Sequence, residues 1–196
     1  MHRRRFIAVT GALATTGGLS LAACTTTPLS SDGSSAANAG KRRTIDADAD
    51  AALTRLFETV TGARELVGKA RGTLVFPSVI AAGFWIGGQY GQGALRVDGH
   101  TTGYYSITAA SFGLQIGAQS KAIILLFMTQ VALDDFTGSQ GWAAGVDATV
   151  AVLKVGANGN IDTSTATGPV EAFVVTNAGL MAGVSLEGSK ISRLII

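Results

Sequence analysis

Reactive side chains are scarce in this 196-residue chain: one cysteine, Cys24, and two histidines, His2 and His100. A single cysteine cannot close an intrachain disulfide, and so few thiols and imidazoles exclude the usual His/Cys metal clusters. Charged residues make up 14% of the chain against 47% apolar, which excludes a highly charged, disordered polypeptide. The formal net charge of +2 includes Arg3, Arg4 and Arg5, which lie in a removable leader. Taking these three from the 15 basic residues leaves 12 against 13 acidic ones, a net charge of −1. No basic excess argues for nucleic acid. Long apolar runs are also missing: Ala122 to Met128 is seven residues, and a membrane-spanning helix needs about 20.

Catalytic constellations are equally thin. His100 directly follows the Asp98-Gly99 turn signal and reads as a solvated turn residue. Ser111 lacks the first glycine of a nucleophile elbow. The Gly87–Gly93 stretch matches neither a dinucleotide fingerprint nor a P-loop. Asp134 and Asp135 are adjacent, so on a helix they would not face each other. Asp46, Asp48 and Asp50 mimic the start of a calcium loop, but Ala51 and Phe57 stand where that loop needs glycine and glutamate. Asn158, Asn160 and Asp162 could donate oxygens to calcium, although a hairpin turn explains them with less. With no nucleophile–base–orienter set, an enzyme is not expected, nor is a cofactor or metal.

Glycine, by contrast, is abundant at 26 residues. It recurs in two segments of similar design, residues 83–91 and 111–119. In the second, Phe112, Leu114, Ile116 and Ala118 alternate with Ser111, Gly113, Gln115 and Gly117, the period of a strand. Glycine repeated on one strand face calls for tight bends, bulges or close approach of another backbone. The two segments therefore read as neighbouring strands of a strongly curved antiparallel sheet.

Residues 1–23 read as an export signal, with Arg3, Arg4 and Arg5 followed by a short apolar stretch and small residues. Arg3-Arg4-Arg5-Phe6-Ile7 fits a twin-arginine pattern as well as a plain Sec signal. Leu21-Ala22-Ala23-Cys24 resembles the bacterial lipobox, in which the cysteine becomes the lipidated first residue; the alternative is an ordinary signal with an incidental cysteine. Thr25 after the cysteine, by resemblance to enterobacterial sorting, points to an outer-membrane anchor facing the periplasm. Residues 24–44 read as a lipidated, flexible linker of small polar residues. It ends in Lys41-Arg42-Arg43, either a solvated run or a contact for lipid phosphates.

A globular unit follows over residues 45–196. Residues 46–60 read as a helix, with acids at its start and Ala49, Leu53, Leu56, Phe57 and Val60 on one face. Thr61 can cap a second helix over 63–70. Beyond it the period is two. Leu74-Val75-Phe76 is a strand ended by Pro77, Asp98-Gly99 joins a hairpin, and 122–128 is a central strand. A short helix is expected over 131–136, an alternating strand over 142–152, a turn at Asn158-Gly159, and strands over 170–176, 180–186 and 191–196. About nine strands suggest a mainly β, α+β fold, a curved barrel or sandwich with the helices packed on one side.

The run Asn177-Ala178-Gly179-Leu180-Met181-Ala182-Gly183-Val184-Ser185-Leu186-Glu187-Gly188-Ser189 resembles the C-terminal signature of the SYLF domain family. Residues 69–84, 112–119 and 148–152 are similar to its opening and middle blocks, so the resemblance runs from about Ala51 to Ile196. It implies a module like those of eukaryotic members, which bind phosphoinositide membranes and in part regulate actin; bacterial members are mostly exported. Carried over to this chain, the basic positions are Lys69 and Arg71, with Arg64 nearby, as contacts for phospholipid headgroups. Lone cations beside a helix end also serve as solvated dipole partners. Glu187, inside the signature strand, is expected to make a structural hydrogen bond or ion pair. The combined expectation is an envelope lipoprotein held to membrane lipid through Cys24 and carrying a lipid-binding module. The alternative is a structural or partner-binding protein for which lipid is only the anchor.

Overall fold

The computed structural model describes residues 31–153, 161, 168–176, 179–180 and 184–196, with side chains for all of these except 31–33, 83–86, 111–118 and 179–180. The export signal, Cys24 and the Asn158-Gly159 turn lie outside the described residues. Among those described, three helices accompany a seven-stranded mixed sheet, strongly curled into a half-barrel.

Helix α1 spans Ser31–Thr59 and α2 spans Ala63–Lys69. The flexible linker expected up to residue 44 is corrected from Ser31 onward: that stretch is helical. Ile45, Ala49, Ala52 and Leu56 form the buried stripe of α1, at spacings of three and four, and Val60 just past its end extends it. The residues before Ile45 bury nothing, which is why composition alone reads as tether. Gly62, with a left-handed backbone, sits at the N-cap of α2 without a side-chain bond, so the expected Thr61 cap is absent.

Two long strands, β1 (Gly72–Val97) and β2 (His100–Phe127), form an antiparallel ribbon. Asp98 and Gly99 turn it with φ values of 51° and 80°, the left-handed pair that a two-residue hairpin needs. The glycine segments do pair, Gly83 with Gly117 and Ile86 with Phe112. Pro77 does not end a strand. The register shifts between Phe76 and Val79, and such a bulge is where a strand tolerates a residue without an N–H.

The ribbon folds over on itself. A Cβ on Gly91 would lie 2.7 Å from Val79 Cγ2 and 2.9 Å from the Ser78 carbonyl oxygen, and one on Gly93 would collide with the Val75 carbonyl. The late half of β1 thus rests directly on the backbone of its early half. No side chain fits that crease, which explains glycine there.

Helix α3 (Gln130–Gly138) is capped by Thr129, whose hydroxyl accepts from the Ala132 N–H at 3.2 Å. The expected strand over 142–152 is broken into β3 (Trp142–Ala143) and β4 (Val150–Val152). Between them a turn forms in which the Asp147 carboxylate accepts from the Ala143 N–H at 2.6 Å. Strand β5 (Val170–Thr176) pairs with the late half of β2, and β7 (Lys190–Leu194) with its early half. β6 is only Gly179–Leu180; the longer strand expected to Leu186 is not seen, since 184–186 are not extended in the sheet. β4 and β5 run parallel, a correction to the all-antiparallel expectation.

Two cores result. One face holds Leu74, Ile123, Leu125, Val174 and an aromatic group. Phe136 of α3 stands 4.7 Å from Phe127, 4.8 Å from Tyr105 and 5.7 Å from Trp142, centroid to centroid, within the range of favourable ring pairs. The other face packs Ile124, Leu126, Phe173 and Val175 against α1 and α2. Among the described residues no helix is long and apolar enough to cross a membrane.

Candidate functional site

The middle of α1 is fastened to the ribbon by polar contacts. The Asp46 carboxylate accepts from the Thr101 hydroxyl at 2.8 Å and from the Tyr104 phenol at 2.8 Å. Arg96 donates to the Asp46 carbonyl at 3.1 Å and forms an ion pair with Asp50. Burial, then the hydrogen bond to Asp46 and the charge of that carboxylate, push the Tyr104 phenol up to about 12. The hydrogen bond from Arg96 holds the Asp50 carboxyl below its usual range. Arg42 donates to the Ile196 carbonyl at 2.6 Å, so the C-terminal residue also braces the helix.

This fastening leaves a cleft of about 380 Å³ between α1 and the folded strand β1. Lys41, Ile45 and Asp48 line it from the helix, Pro77 and Ile80 from the early half of β1, and Tyr90 from the late half. Residues 41, 44, 45 and 48 are one face of a helix by spacing. Ile80 and Tyr90 are 55% and 48% exposed, high for large apolar side chains next to a core. The cleft therefore offers apolar surface that the fold leaves uncovered. The Tyr90 phenol accepts from Gln92 Nε2 at 2.6 Å, and Ser78, which also lines the cleft, shares a hydrogen bond of 3.0 Å with Ser120.

The basic residues expected from the sequence lie elsewhere. Lys69 pairs with Glu65 at 2.7 Å on the surface of α2. Arg64 sits over the Phe57 ring at 4.3 Å, a cation–π contact. Arg71 is exposed just before β1, and its N–H closes a backbone bond to Phe127. Arg64 meets α1 at Phe57, about 20 Å along the helix from Thr44 at 1.5 Å per residue. None of these three basic residues lines the cleft. Of the earlier basic cluster, Arg42 and Arg43 are engaged by carbonyls of Ile196 and Ala39. Lys41 has no ion pair among the described residues.

Glu187 is exposed in a turn, its N–H bonded to the Ser185 hydroxyl, and among the described residues it forms no ion pair; the expected role inside a strand is corrected. Among the described residues the buried carboxyl is instead Glu171 on β5, 1% exposed, with Oε2 lacking any partner there. Burial raises its pKa. Lys121 on β2 is half-buried, and burial lowers its pKa. Sequence reading missed the cleft and Glu171. Their signals were the 41/44/45/48 face and a lone acid inside Val170-Glu171-Ala172-Phe173-Val174. Asp46, Asp48 and Asp50 lie on α1 rather than on a calcium loop. Among the described residues no cluster of three metal-ligating side chains occurs.

Residues 108–194 match a family model, Ysc84, described as "Las17-binding protein actin regulator". The match begins within β2 and ends in β7, leaving α1, α2 and β1 upstream of it. No curated protein matches the chain. Over residues 108–194 the chain is therefore similar to the Ysc84, or SYLF, family, the resemblance its sequence motifs carry.

Proposed function

We propose that this protein is a non-enzymatic lipid-binding module of a bacterial envelope, held at the membrane by an acylated Cys24. The observation that carries the reading is the apolar cleft beside α1, lined in part by Lys41, a cation without an ion pair among the described residues. Ile45, Pro77 and Ile80 supply surface for an acyl chain. Lys41 supplies a counter-charge for a phosphate within the cleft, while Arg64, Lys69 and Arg71 would meet headgroups outside it. The anchor would act independently of the cleft, since buried acyl chains contribute about 0.8 kcal/mol per methylene.

Co-sedimentation of residues 25–196 with phospholipid vesicles at low salt tests the module apart from its anchor. Binding is expected, and Lys41→Gln together with Ile80→Ser is expected to abolish it. Recovery of the chain in the supernatant with every vesicle composition would discard the lipid reading. It would leave a partner-binding protein, the kind of role that the family's description names. Replacing Cys24 with serine tests the anchor: equal retention in the membrane fraction would remove it.

A further inference from the structure

We infer that the cleft is selective for a phospholipid with a zwitterionic headgroup, its phosphate at Lys41 and its ammonium at Asp48 and Tyr90. This inference rests on the lipid reading above and adds the headgroup class.

Charge placement carries it. α1 brings six charged side chains to the neighbourhood of the ribbon between positions 41 and 50: Lys41, Arg42, Arg43, Asp46, Asp48 and Asp50. Four of these are engaged. Arg42 and Arg43 bond carbonyls, Asp46 holds Thr101 and Tyr104, and Asp50 holds Arg96. The two that remain without an ion pair among the described residues, Lys41 and Asp48, are the two that line the cleft. They carry opposite charge and stand seven residues apart, about 10.5 Å along the axis at 1.5 Å per residue. Both are exposed, so neither holds its charge against a desolvation penalty before a ligand arrives.

A purely anionic headgroup meets Lys41 favourably but meets Asp48 as a like charge. A headgroup with a phosphate and an ammonium two carbons away satisfies both, the flexible Lys41 side chain covering the remaining distance. Tyr90 adds a ring to the same cleft, with its phenol tied to Gln92. Aromatic rings attract ammonium groups, most of all quaternary ones that carry no N–H. The apolar wall of Ile45, Pro77 and Ile80 takes the start of the chain. A cleft of 380 Å³ is at the small end of ligand sites, suited to a headgroup and the first part of one tail.

The test titrates the full chain with dihexanoyl phosphatidylcholine, phosphatidylethanolamine and phosphatidylglycerol, each kept below its micelle concentration, and reads dissociation constants by calorimetry. The choline and ethanolamine lipids are expected to bind about tenfold or more tightly than the glycerol lipid. Asp48→Asn should erase that preference while leaving glycerol-lipid affinity unchanged or improved, and Lys41→Gln should weaken all three. Both positions are exposed, so the variants are expected to fold, which the unchanged melting temperature verifies. Free phosphocholine should bind at least about tenfold more weakly than its lipid; equal affinity would make a soluble phosphoester the ligand and overturn the assignment. Equal binding of all three lipids, or a preference that survives Asp48→Asn, overturns the headgroup inference and leaves the lipid reading intact. No binding of any lipid overturns both.

Discussion

Glu171 should be the place where this fold is easiest to stabilise. The residue is 1% exposed on the face of β5 that packs against α1 and α2, and among the described residues Oε2 has no partner. Cα neighbours are Leu126 on one side and Ala151 on the other, neither able to donate a side-chain hydrogen bond. A buried polar group left unsatisfied costs about 1–3 kcal/mol. Glu171→Met keeps the length of the side chain and removes the polar atoms, so it is expected to stabilise the chain by about that amount at pH 7. At about 2–4 °C per kcal/mol for a chain of this size, the melting temperature should rise by about 2–12 °C.

The pH dependence has a definite sign. Burial raises the Glu171 pKa above its ordinary value of 4.5, so the folded chain holds this proton more tightly than the unfolded chain does. The contribution is fully present below about 4.5 and is lost as pH rises through the folded-state value. The gain from Glu171→Met should therefore be smallest at pH 4 and should grow toward neutrality. Thermal denaturation followed by circular dichroism at a series of pH values between 4 and 8 measures it. A variant less stable than the parent at pH 7, or a difference that does not change with pH, would show that Glu171 has a partner and that the reasoning is wrong.

Three other outcomes follow from the same contacts. Gly93→Ala should destabilise the chain by about 1–3 kcal/mol or more, because the added methyl meets the Val75 carbonyl, which cannot rotate away; chemical denaturation gives the value. Phe136→Ala removes the ring that touches Tyr105, Phe127 and Trp142 and should cost about 3–5 kcal/mol, with loss of the near-ultraviolet signal of the aromatic group. Asp46→Asn should lower the Tyr104 pKa from about 12 toward 10.0, visible in alkaline absorbance titration. In the parent, stability should fall as pH rises from 10.0 toward 12, since the folded phenol keeps its proton longer than the unfolded one.

Periodicity and turn chemistry made much of this protein legible before any coordinates. Alternation and the Asp98-Gly99 pair place the hairpin, because a two-residue turn with two left-handed residues accepts few other sequences. The apolar run at 122–127 lies between β1 and β5 as expected of a strand covered on both faces. The SYLF signature pointed to the family that residues 108–194 match. Local pattern fails where the deciding partner is remote. Residues 31–44 look like tether because their anchoring contacts, such as Arg42 with Ile196, are 154 positions away. Pro77 looks like a strand end because a bulge is defined by the opposite strand. Gly91 and Gly93 announced that something comes close, but only the folded ribbon shows that it is the same strand 12 to 18 residues earlier. The candidate cleft is decided in the same way. Helical spacing puts Lys41, Ile45 and Asp48 on one face, yet whether that face meets solvent, core or a half-open wall depends on where β1 doubles back. Secondary structure is written in neighbours along the chain, whereas a cleft is the space left between segments whose separation in sequence no local pattern encodes.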